Sequence, residues 1–291
     1  MWSNMNSFLF LRKYKAILSF LAVAIIVFLP LWGALAVDDD GLFELGPGSG
    51  VTDILGNGSP KDGPDWAEIF DANGNVVDLF GGAGAVFLKD DVAIGPMEDR
   101  TVFVNDASIH ASPSTWQWDT NPDLLPQVDL SNVYLYAKGN EVGDLILFGG
   151  LERLYPAGMK HVHIEVNQQM IDLDKTPPCG KDQTGGADDF APCEITGERT
   201  VNDLLFLLEY GRRGVLHSLE VYWWSGTAWE FLTVLSNQGC DANDILCVFN
   251  NSQSIDGGPW PNYSRFGEIQ TLPADGFTEF GVNVTQLLKK A

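Results

Sequence analysis

His161, His163 and Glu165 stand on alternating positions of the segment His161-Val162-His163-Ile164-Glu165-Val166. In an extended chain successive side chains point to opposite faces, so two imidazoles and a carboxylate share one face, near enough to hold a divalent metal. His217, after Gly214-Val215-Leu216, is the further imidazole a second strand could supply. The same alternation also makes a plain polar face over a core of valine and isoleucine, and this structural reading is the preferred one.

A second set of residues suits sugars. Tyr222, Trp224 and Trp260 are aromatic rings that could stack on a saccharide if they lie exposed. Alternation along Leu219-Glu220-Val221-Tyr222-Trp223-Trp224 places Trp223 with the core residues and leaves Tyr222 and Trp224 on the other face with Glu220. Carboxylates form a third set. Asp71-Ala-Asn-Gly-Asn75 opens like a calcium loop, but Val76 stands where an EF-hand needs glycine. Asp172 with Asp174, and the Asp188-Asp189 pair, could also bind Ca2+, so calcium is the one cofactor considered. No Gly-x-Ser-x-Gly elbow, His-Glu-x-x-His motif or phosphate-binding glycine loop is present. The sequence therefore points to no catalytic residues and to a chain that is not an enzyme.

The destination follows from the first 36 residues. Arg12, Lys13 and Lys15 precede an uncharged apolar run from Ala16 to Gly33, which leads into Ala34-Leu35-Ala36 and then Asp38-Asp39-Asp40. That is the layout of a secretory signal peptide cleaved after Ala36, so residues 1–36 are read as a leader and 37–291 as one domain. Pro30 and the Ala-x-Ala motif argue against an uncleaved membrane anchor. The whole chain carries 17 basic and 39 acidic residues, a net charge of −22, and the leader holds none of the acids. Such a surface repels phosphate backbones and anionic headgroups, which excludes nucleic acid and a membrane surface as partners and leaves an extracellular protein or a glycan.

Four cysteines in an oxidising destination imply disulfides, and three pairings are possible. Cys179 and Cys193 bracket one polar loop; Cys240 and Cys247 bracket another. Local pairing is expected because neither loop has apolar content to hold it closed. A zinc site would need closer pairs such as C-x2-C.

The elements that must position these groups are strands. Runs of β-branched and aromatic residues recur at Thr101–Val104, Val133–Tyr136, Asp144–Phe148, His161–Val166, Leu204–Leu208, Leu219–Trp224 and Trp229–Val234. Separated by glycine, proline and polar turns, they predict an all-β antiparallel sandwich of jelly-roll type. Leu204–Leu208 is apolar on both faces, as in a covered sheet. Ser225-Gly226 supplies the turn of an aromatic hairpin. Leu42–Leu45 reads as an edge strand, and Phe280–Leu288 as a last strand or short helix.

Several phrases, in order, carry a resemblance: Gly63-Pro64-Asp65-Trp66, Trp116-Gln117-Trp118-Asp119, Asp129-Leu130-Ser131-Asn132-Val133-Tyr134-Leu135-Tyr136, Asp144 through Arg153, His161 through Gln168, Val221-Tyr222-Trp223 with Trp229, Phe266-Gly267-Glu268, and Gly281-Val282-Asn283-Val284-Thr285. Over most of residues 42–288 the chain resembles an uncharacterised β-sandwich module found near the start of large secreted bacterial surface and adhesin-like proteins. The resemblance implies a non-enzymatic extracellular or cell-envelope module with a structural or attachment role. A carbohydrate-binding jelly-roll module is the second reading. A metal-dependent jelly-roll enzyme is the third: two histidines two residues apart with a carboxylate are similar to cupin metal sites, although cupins place the glutamate several residues further on.

Overall fold

Six of the seven expected segments lie wholly within strands, and Asp144–Phe148 does so from Leu145 onward, because valine, isoleucine and aromatic side chains fit the pleated, half-buried surface of a sheet. The computed structural model describes residues 37, 41–46, 52–55, 63–77, 84–89, 101–104, 109–120, 129–174 and 193–291, of which 101–104, 118–120 and 173–174 are described by their backbone alone. Of the described residues 47% are in strands and 7% in helices, which makes the fold all-β.

Six strands form the central sheet. Its order is β1 (Ala85–Lys89), β4 (Leu130–Gly139), β5 (Leu145–Arg153), β18 (Phe277–Asn283), β13 (Leu246–Asn250) and β12 (Gly239–Cys240), and every pairing is antiparallel. A second antiparallel sheet runs β11 (Trp229–Leu235), β10 (Leu216–Trp224), β9 (Leu204–Tyr210) and β6 (Lys160–Val166). The two pack face to face without closing into a barrel. Leu135, Leu147, Phe280 and Val282 from the first meet Phe206, Leu208, Leu219 and Val221 from the second. Burying each such side chain stabilises the fold by about 1.5–3 kcal/mol. A third sheet, β2 (Thr101–Val104), β3 (Gln117–Thr120), β8 (Cys193–Thr196) and β7 (Asp172–Asp174), adds a smaller cluster around Trp116, Ile171 and Ile195.

The opposite face of the central sheet is covered too. Leu42, Phe43 and Leu45 cross it, followed by the one-turn helix α1 (Trp66–Ile69) and two ribbons, β14 (Ile255–Asp256) with β17 (Thr271–Leu272) and β15 (Asn262–Ser264) with β16 (Gly267–Ile269). Asp65 caps α1, and Glu68 returns the bond to the Asp65 N–H, a reciprocal cap that fixes this short turn. The expected edge strand at Leu42–Leu45 is therefore corrected. These residues form no strand, because their apolar side chains are drawn into the layer over Tyr136 and Phe148.

Covering both faces makes β18 buried at every position and β5 at all but its first. Gly149 and Gly150 make that packing possible. A Cβ on Gly149 would lie 2.3 Å from the Phe280 ring on one face, and one on Gly150 would lie 2.9 Å from Tyr134 and 3.0 Å from Trp66 on the other. The chain ends the sheet through α2 (Val284–Leu288), where Asn283 Oδ1 accepts the Gln286 N–H at 2.9 Å.

Candidate functional site

β6 carries His161, His163 and Glu165 on the face away from the core, as alternation requires. The two histidines are exposed. His217 sits on β10, separated from β6 by the whole of β9, and folds over Gly211, whose added Cβ would lie 2.3 Å from His217 Nε2. Neighbouring strands are about 4.8 Å apart, so β9 alone keeps His217 well away from β6. These four residues do not close into a metal-holding set. Among the described residues only Cys240, Asp244 and Cys247 lie close enough together for that, and the two sulfurs are bonded to each other.

Glu165 belongs to a different cluster. Arg199 Nε donates to Glu165 Oε2 at 2.9 Å and Nη2 to Oε1 at 2.6 Å, while Nη1 donates to the Ala111 carbonyl at 2.7 Å. The guanidinium carbon lies 5.1 Å from the Trp116 ring, 5.2 Å from Trp224 and 5.0 Å from Trp229. A planar cation suits both contacts, its fork matching the carboxylate and its face the indoles. Trp229 Nε1 donates to the Ile109 carbonyl at 2.8 Å, which ties the same covering segment to the hairpin.

The three aromatic residues expected to form a sugar platform are not brought together. Trp224 packs edge-to-face on Trp229 beneath Arg199, and Tyr222 lies beside Phe231, its hydroxyl donating to Glu220. Trp260 lies in the other layer, against the far face of the central sheet, and is only 3% exposed. The reason is its polar edge. Trp260 Nε1 donates to Tyr134 Oη at 2.9 Å and to Glu152 Oε1 at 3.1 Å, so the ring is held inward.

Glu152 and Glu279 are the groups that sequence reasoning passed over. Both are buried on the same face, on neighbouring strands, with Glu152 opposite Phe277 and Glu279 opposite Gly150. Tyr134 Oη and Trp260 Nε1 donate to Glu152 Oε1, and Asn132 Nδ2 donates to Oε2 at 2.8 Å. Loss of water raises the Glu152 carboxyl to about 8, against the opposing pull of Trp260, Asn132 and Ser131. Glu279 accepts the Gly46 N–H at 2.7 Å and Trp66 Nε1 at 3.3 Å; burial, aided by the nearby Asp53 and Glu44 charges, holds it well above the usual carboxylate range. A sequence signal existed: each glutamate directly follows or precedes an apolar run, Leu145–Leu151 before Glu152 and Phe280–Val282 after Glu279.

Trp260 also borders a groove in this layer. The groove has a volume of ≈ 620 Å³. Leu55 and Pro259 line it together with Asp256, Asn262, Glu268 and Gln270. Gly258 adopts a φ of +79°, and its backbone packs on Trp260 and Ile54; an added Cβ would lie 3.0 Å from each.

The calcium-like sequence at Asp71 forms a turn. Asp71 Oδ1 accepts the N–H groups of Asn73 at 2.8 Å and Asn75 at 2.9 Å, closing the loop between the paired residues Phe70 and Val76. Those bonds lower the Asp71 carboxyl below its usual value, the Asn75 side chain contributing most. Asp188 and Asp189 lie outside the described residues, as does Cys179. Cys240 and Cys247 form a disulfide across β12 and β13, as local pairing predicts, and Cys193 is disulfide-bonded.

Compared with known proteins, the chain matches no family model, no curated protein and no solved structure.

Proposed function

We propose that this chain is a secreted, non-enzymatic module of the extracellular space or cell envelope, with a structural or attachment role. One observation carries the reading: the side chains best suited to acid–base or metal chemistry join the layers of the fold. Glu165 holds Arg199 beneath the segment 109–117, and Glu152 and Glu279 fasten Trp260 and Trp66 onto the central sheet. A sheet covered on both faces, with a disulfide across its β12–β13 edge, suits a protein that must persist outside a cell. The leader at residues 1–36 and the ordered series of surface-module phrases support the same location. Among the described residues no helix is long and apolar enough to cross a membrane.

The test is a surface-binding assay with the exported protein, run beside a screen for hydrolytic turnover. Retention on cells or on extracellular matrix without turnover is expected. Turnover that is lost in a folded Glu152→Gln or Glu279→Gln variant would overturn the reading.

A further inference from the structure

We infer that the groove between the β14–β17 and β15–β16 ribbons binds an uncharged saccharide; the inference rests on the attachment reading and supplies its contact surface. The volume, ≈ 620 Å³, falls within the range of about 300–1,000 Å³ in which small-ligand sites occur. The chemistry of the walls narrows the ligand. Asn262 lines the groove, is 2% exposed, and its Oδ1 has no hydrogen-bond partner. Its Nδ2 is engaged by the Trp260 carbonyl at 2.9 Å, which fixes the amide with the oxygen as the free end. Asn262 Oδ1 has almost no surface open to solvent, so the amide serves as a fixed wall, and the acceptors within a ligand's reach are those of Asp256, Glu268 and Gln270.

The other polar groups extend the pattern. Asp256 and Glu268 are exposed acceptors on different ribbons, and Gln270 adds one side chain able to donate as well as accept. Leu55, which is 43% exposed, and Pro259 stand among them as apolar surface. A matching ligand carries hydroxyl donors spread around a frame with apolar C–H faces, which describes a sugar ring. A lysine or arginine side chain offers its donors at one end only, whereas the exposed acceptors here come from both ribbons. Sugars bearing carboxylates or sulfates are repelled by Asp256, Glu268 and the chain's net charge of −22. The site is also pre-formed, because Trp260 is tied to Tyr134 and Glu152, and Asn132 Nδ2 reaches the Pro261 carbonyl at 3.3 Å.

The experiment uses the full exported chain on an array of neutral and acidic oligosaccharides, with an arginine-rich peptide as a further probe. Calorimetry follows on the best neutral binder. Neutral oligosaccharides should bind and acidic ones should not. Asp256→Ala combined with Gln270→Ala should weaken binding roughly 10-fold or more, as loss of ligand hydrogen bonds does. Its melting temperature should hold, since both side chains are exposed. Saccharide binding that the double variant leaves intact would overturn the proposal, as would competition by the arginine-rich peptide. Surface adhesion without binding of any neutral saccharide would overturn the groove and leave the attachment reading standing. Groove-dependent saccharide binding without surface adhesion would support the groove and sink the attachment reading.

Discussion

Arg199 and Glu165 form a two-bonded ion pair whose side chains are 1% and 8% exposed, enclosed by three tryptophans. Removing one partner leaves the other as a buried, unpaired charge. Arg199→Ala or Glu165→Ala should therefore lower stability by about 3–5 kcal/mol, read by urea unfolding. Arg199→Lys should restore little, because an ammonium matches neither the two-bonded carboxylate nor the indole faces. A neutral result for Arg199→Ala would mean that the pair is dispensable to the fold.

The Glu152 carboxyl makes stability depend on pH with a defined sign. Its native value is raised to about 8, while an unfolded glutamate titrates near ~4.3. Between those values the native state keeps a proton that the unfolded chain has released. Stability therefore falls as pH rises through that window and levels off above it, by about 4–5 kcal/mol at the limit. Glu279, also raised, contributes with the same sign. Glu152→Gln should flatten the fall in melting temperature between pH 5 and 8. An unchanged slope would show that Glu152 titrates in its ordinary range.

Cys240 and Cys247 close a short loop that Asp241 organises by accepting the Ile245 N–H at 2.7 Å. For a loop of this length, the loss of unfolded-state entropy stabilises the native chain by about 2–3 kcal/mol. Cys247→Ser should lose roughly that amount. Non-reducing peptide mapping should recover the Cys240–Cys247 peptide, and the expected Cys179–Cys193 peptide beside it.

Processing after Ala36 would leave Val37 as the first residue. Val37 is fully buried, its N–H donates to the Asp244 carbonyl at 2.7 Å, and its side chain fills the space beside Gly281, where an added Cβ would lie 2.3 Å from it. Mass spectrometry of exported protein should find Val37 at the N-terminus. Intact leader in a membrane fraction would replace a secreted protein with an anchored one.

Strand chemistry was the most legible part of the sequence. His161–Val166 and Leu219–Trp224 announced themselves because period-2 patterning is local, needing only neighbouring residues to be read. Phe280–Leu288 was ambiguous for the opposite reason: it holds the end of β18, which is buried on both faces so that no alternation marks it, and then the short helix α2. The site was less legible. Alternation placed His161, His163 and Glu165 on one face correctly, but the partner of Glu165 lies 34 positions away, on Arg199. Trp260 looked like a candidate for exposure because nothing nearby in sequence reveals that Tyr134 and Glu152 await its indole N–H. The place of Asn262 in the groove was not legible, since it comes from the ribbons that enclose it.

The place of β18 has a consequence for how the chain acquires its structure. The strand formed by residues 277–283 lies between β5 and β13, so the ladder along Ile146–Glu152 stays open on one side until those residues arrive. Closing it joins positions more than a hundred residues apart, and such distant pairings make folding slow. A nascent polypeptide lacking that segment is thus held back from a completed sheet, and an export channel that accepts only unfolded chains would have time to engage it.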